Sequence, residues 1–192
     1  MTGSMTRGWP KATLPLAAAG LAAAPWVHSS FGPAVTLIWL QLPAYLIHQY
    51  EEHGKGRFKQ YANRLYGNGR EVLSDEAIFL INTAGVWGLD LAAFLAAVTM
   101  GPGAGLAAVY LSVLNALSHV GATVRMGGGY NPGLWTSLVV FIPLGVHTLA
   151  EAVRRGWATP AEHVCGLTLA VGIHAAIVAH VIRKRRSAGS SA

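Results

Sequence analysis

The chain has 192 residues, of which 53% are hydrophobic and only 11% charged, with a mean hydropathy of +0.42. That is far from the roughly 25% charged residues of a soluble domain. The net charge of +6 is gathered into a few short segments, which marks membrane topology and contact with anionic lipid headgroups and excludes a nucleic-acid face. One cysteine, Cys165, excludes an internal disulfide and a CxxC metal site.

Apolar runs close to the roughly 20 residues that cross a bilayer recur along the whole length. They predict an all-α, polytopic transmembrane helical bundle of about six spans, forming a single domain over residues 1–192. Residues 1–11 are a polar leader with Arg7 and Lys11. The first span is Ala12 to Val27, carrying Pro15 and Pro25. Its basic start, short apolar core and Ala-Ala-Ala end are also the pattern of a cleavable signal peptide, in which case five spans remain. The second span is Phe31 to Tyr50, with Pro43 inside, and it ends in a cluster of His and Glu. A basic polar loop follows from Gly54 to Ser74. Ser74 with Asp75 and Glu76 reads as a helix start. The third span, Asp75 to Met100, carries Asn82 and Asp90, and Gly101-Pro102-Gly103 turns the chain. The fourth, Ala104 to Val124, carries Asn115 and His119. After a glycine-rich loop come the fifth, Leu134 to Val153, and the sixth, Ala161 to Ile182, with His174 and His180. Residues 183–192 form a basic tail that should be disordered.

With six spans, Arg7, Lys11, the five basic residues of the second loop, Arg125 and the four of the tail share one side. Only Arg154 and Arg155 fall on the other. The excess of positive charge places both termini in the cytoplasm.

His48-Gln49-Tyr50-Glu51-Glu52-His53 is an odd way to end an apolar helix. Residues three and four apart share a helix face, so His48 lies beside Glu51 and Glu52. One nitrogen and one or two oxygens from a single turn suit Zn²⁺ or non-haem iron, but other helices must complete such a site. With 1.5 Å of rise per residue, Asn82, Asn115, His119 and His174 fall in the same cytoplasmic layer. Ionisable groups at that depth are costly and face the bundle interior or a wet cavity. Each has a plainer alternative. Asn115 and His119 can be an interhelical hydrogen bond, His174 a lone core histidine, and the cluster a solvated helix end.

Three motifs then line up: His48-x-x-Glu51-Glu52, Asn115-x-x-x-His119 and Tyr130-Asn131-Pro132-Gly133. Together they resemble the HXXEE domain family of bacterial integral membrane proteins, from about Leu37 to the last helix. The resemblance implies a membrane metalloenzyme and names no substrate. The order Glu51-Glu52, His119, His174 is also similar in geometry to the CAAX-type prenyl endopeptidases. There an arginine follows the Glu pair after three residues. Here Arg57 follows after four, out of helical register.

The reading is a metal-dependent membrane enzyme, most simply a zinc hydrolase acting on a lipid or lipid-linked substrate from the cytoplasmic leaflet. His48, Glu52, His119 and His174 are the expected metal ligands. Glu51 is general base or partner to a ligand, and Asn115 orients His119 or meets a developing oxyanion. Tyr130 and Asn131, with Asn82, form the expected lid or substrate contact. A di-iron oxygenase is the first alternative, although few carboxylates are present. A bundle that binds or transports a metal, haem or protons is the second. The expected partners are membrane lipids and a lipid-like or small-molecule substrate.

Overall fold

The computed structural model describes residues 5–189, and every regular element among them is helical. After a helical turn at Met5–Gly8, helix runs over Pro10–Trp39 and Gln41–His53. The chain reverses direction inside this stretch. Gly32 stands at φ 83° and ψ 176°, just before Pro33. A following proline disfavours the helical region, and a positive φ is cheap only for glycine. Two antiparallel arms result, α1 (residues 10–31) and α2 (residues 33–53). Trp39 Nε1 donates to the Gly20 carbonyl at 2.8 Å, and the Trp9 ring lies 5.2 Å from the His53 ring.

Helix α3 is Arg57–Gly67, α4 Asp75–Met100, α5 Leu106–Arg125, α6 Leu134–Arg155 and α7 Pro160–Gly189. The α3 segment was expected as loop. Its charges hide an amphipathic pattern that turns Phe58 and Ala62 onto Trp9, Leu73 and Ile78. Asn63 then ties down the next loop, accepting from the amides of Val72 and Leu73 at 2.9 and 3.0 Å. Ser74 caps α4, accepting from the Ala77 amide at 3.2 Å. Two wide, π-helical stretches lie within α4 and α6, at Ile81–Trp87 and Ser137–Phe141. Such stretches often mark functional positions.

Five segments are long and apolar enough to cross a membrane: Pro10–His53, Asp75–Met100, Pro102–Arg125, Leu134–Arg155 and Pro160–Ser187. Because the first is folded on itself at Gly32, the bundle has six arms, in keeping with about six spans. Helix α7 continues through its basic residues to Gly189, where disorder was expected from Arg183 onward. Lys and Arg are good helix formers and favourable at a helix C-terminus, so nothing before Gly189 stops the helix. Residues 1–4 of the leader and 190–192 of the tail lie outside the described residues.

The core centres on Tyr45, Val86, Leu111, Ala116 and Phe141, from four of the helices. His48 stacks directly on it, its ring 4.5 Å from that of Phe141. Helices α5 and α7 run parallel and close: a Cβ on Gly166 would come within 3.0 Å of the Ala107 nitrogen. Their C-terminal ends, with Arg125 and Arg185, therefore emerge at the same end of the bundle.

Candidate metal centre

Helix α2 ends with His48 and Glu52 one turn apart on its inner face, and α5 presents His119 toward them. His48 Nε2 lies 3.4 Å from Glu52 Oε2, and His119 Nε2 lies 3.1 Å from Glu52 Oε1. One ligand atom from each residue falls within 4.8 Å of the others. All three are buried, at 0%, 6% and 6% exposure for His48, Glu52 and His119. Ligand atoms 2.0–2.2 Å from a tetrahedral ion stand roughly 3.3 Å from each other. The two nitrogen–oxygen separations match such an edge.

The hydrogen bonds behind the two histidines fix their tautomers. The Thr136 hydroxyl has one proton and donates it to Glu51 Oε2 at 2.6 Å. It must therefore accept from His48 Nδ1, 2.8 Å away. The Asn131 amide nitrogen donates to the His119 carbonyl at 2.9 Å and to Thr123 Oγ1 at 2.6 Å. Its oxygen thus faces His119 Nδ1 at 2.7 Å and accepts from it. With both Nδ1 atoms protonated, each ring in its neutral form carries its lone pair on Nε2, and both Nε2 atoms are aimed at a carboxylate. Two neutral acceptors facing a third repel unless a proton or a metal ion lies between them. Backing of this kind orients metal-binding histidines and raises their basicity.

The loop after α5 closes over the triad. Gly133 has φ 98°, and a Cβ there would stand 2.6 Å from His119 Cε1 and 2.7 Å from His48 Cε1. Only glycine lets the backbone pass this close. Glu51 holds the loop in place. Besides the Thr136 hydroxyl, its carboxylate accepts from the Tyr130 hydroxyl at 3.0 Å, the Trp135 amide at 3.1 Å and the Thr136 amide at 2.8 Å. Burial, with its bond to Glu51, pushes the Tyr130 hydroxyl above its usual pKa, so it remains a donor at neutral pH.

Comparison with known proteins bears on this constellation. The model for a protein family described as of unknown function with an HXXEE motif matches residues 39–148. This chain belongs to that family. The matched stretch contains His48, Glu51, Glu52, Asn115, His119, Tyr130 and Asn131, and leaves His174 beyond its end. No curated protein and no solved structure matches the chain.

The HXXEE motif thus divides its labour. His48 and Glu52 point to the centre, while Glu51 points to the loop. Asn115 donates to His48 Nε2 at 2.9 Å, on the lone pair a metal would use. His174 does not join the triad. Its Nδ1 donates to the Ala170 carbonyl of its own helix at 2.9 Å. Asn82 accepts from Gln49 at 2.9 Å, and Gln49 in turn accepts from Trp87 Nε1 at 2.5 Å, so Asn82 sits behind the site. His174, Asn82, Asn115 and Glu52 all line one cavity of about 460 Å³ between α7 and the other helices. His53 stands in the cluster read from the sequence without a role there, and Thr136 is not singled out by the sequence. His53 Nε2 lies 3.2 Å from Glu52 Oε2. Thr136 links Glu51 to His48, and nothing in the sequence sets its hydroxyl apart from the other threonines.

Proposed function

We propose that this HXXEE protein is a metal-dependent membrane enzyme, a hydrolase acting on a lipid or lipid-linked substrate from the cytoplasmic leaflet of a bacterial inner membrane. The observation that carries the reading is the pair of Nε2 lone pairs, each locked by a bond on Nδ1, converging on Glu52. His48, His119 and Glu52 would hold the metal, leaving the rest of its coordination open. A divalent ion held this way supplies Lewis acidity toward a water molecule at neutral pH.

The chain's own groups then have distinct tasks. Glu51 acts as the partner that keeps His48 in its metal-ready tautomer, through Thr136. Asn115, which bonds His48 Nε2, would release it when a metal binds, and its amide would then be available to an oxygen of the substrate. His174 stands in the cavity wall with Nδ1 bonded to the Ala170 carbonyl, which leaves Nε2 as a hydrogen-bond acceptor. Tyr130 and the Gly133 turn keep water from the outer side of the centre.

Zinc is the preferred ion, because one carboxylate and two histidines form the open hydrolytic set. The same donors are also the facial set of non-haem iron oxygenases. A two-iron centre is disfavoured, since Glu52 is the only carboxylate in the group. Metal analysis of the purified protein tests the reading. Stoichiometric zinc is expected in wild type, lost in His48→Ala, Glu52→Ala and His119→Ala, and retained in His174→Ala. Stoichiometric iron would move the assignment to oxygen chemistry. Failure of wild type to hold either ion after refilling would sink the metalloenzyme.

A further inference from the structure

The cavity beside the triad is lined on one wall by Ile173, Ile177 and Val181 of α7, and on the other by Ile78, Ile81 and Val86 of α4. Between these apolar walls Glu52, Asn115 and His174 reach its surface, and Glu52 is the sole acidic residue among its lining. At one end stand Arg125, the last residue of α5, and Arg185, in the C-terminal part of α7. Elsewhere Lys59 pairs with Glu71 and Asp75, and Arg154 and Arg155 pair with Glu151. No acid pairs with Arg125 or Arg185 among the described residues. A slot of this size lies in the lower half of the range for small-molecule sites. It suits one aliphatic chain better than the two of a diacyl lipid.

We infer that the cavity binds a single-chain anionic amphiphile, its head between Arg125 and Arg185 and its chain along Ile173, Ile177 and Val181. Guanidinium groups grip carboxylate and phosphate alike through paired N–H donors. Asn115 lies about 15 Å below Arg125 along α5. Arginine side chains lean back toward the helix N-terminus and shorten that gap. A bond part-way down the chain, rather than at the head, therefore comes level with Asn115. Which bond reacts rests on the metal reading above; the binding itself does not.

Displacement of a fluorescent dansyl-undecanoate probe, using the full chain in phosphatidylcholine nanodiscs, tests this directly. Dodecyl phosphate and dodecanoate should both displace the probe, and the stronger of the two identifies the head. Dodecanol should be at least about tenfold weaker, because it cannot make the charge-assisted bonds. The double variant Arg125→Gln/Arg185→Gln, altered only at exposed positions, should erase that preference. Ile177→Trp should weaken all three ligands about tenfold or more while the metal content stays at the wild-type level. Equal competition by dodecanol in wild type, or probe binding unchanged in Ile177→Trp, would overturn the inference. Chain binding in a protein that holds no metal would uphold it and remove only the metal reading. Metal without chain binding would do the reverse.

Discussion

Thr136 has one hydroxyl proton and gives it to Glu51, so its contact with His48 runs the other way and fixes that ring. Replacing it with valine keeps the shape and removes the relay. His48 is then free to place its proton on Nε2, where a metal would bind. Loss of such a partner typically weakens metal binding 10–100-fold. Zinc competition against a chelator should show that drop in Thr136→Val and recovery in Thr136→Ser. An unchanged zinc affinity in the valine variant would break the link from Glu51 to His48. Asp90 has the opposite character. It is 2% exposed, and neither carboxylate oxygen has a hydrogen-bond partner. A buried polar group without a partner costs about 1–3 kcal/mol. Asp90→Leu should therefore melt at a higher temperature in detergent, and a lower melting temperature would show that Asp90 stabilises the fold.

Among the elements, the loop from Met126 to Gly133 and the start of α6 are tied to α2 through Glu51. Glu51 accepts four hydrogen bonds from Tyr130, Trp135 and Thr136. Charge-assisted bonds of this type contribute about 1.5–3 kcal/mol each when buried, and less where water competes, as at the exposed Tyr130. Glu51→Gln should loosen the loop without melting the bundle. Limited proteolysis would read this as faster cutting within residues 126–133 at an unchanged melting temperature. Equal cutting in wild type and variant would show that Asn131, anchored on His119 and Thr123, holds the loop alone. Helix α3 shows why this region was hard to read. Its apolar residues are few and interleaved with Arg57, Lys59 and Arg64, so composition says loop while the 3.6-residue period says helix.

For the molecule as a whole, charge and site fall at the same end. The turn at Gly156 and the arginines before it are balanced by Glu151, whereas the end bearing the triad carries Lys55, Arg57, Arg64, Arg70, Arg125 and the basic end of α7. The excess should hold that end in the cytoplasm. A fluorescent protein fused after Ala192 should fluoresce, and alkaline phosphatase inserted at Gly156 should be active. The reverse pattern would place the site on the outer side and rule out a substrate from the inner leaflet.

Much of this was legible without coordinates because it depends on local rules. Span lengths follow from apolar runs, and the pairing of His48 with Glu52 follows from the helical repeat. The three motifs also carried the family. The partition within the cluster was not legible. Glu51 and Glu52 are chemically alike and adjacent, and a rotation of about 100° between neighbours on a helix sends one to the loop and the other to His119. His174 was placed at the right depth, but depth does not fix azimuth, and its helix turns it into the cavity wall. Thr136 and the Gly133 turn owe their roles to a crossing of α2, α5 and α6 that brings residues more than 80 positions apart within hydrogen-bond reach. Local sequence has no way to encode that contact; packing of the three helices creates it.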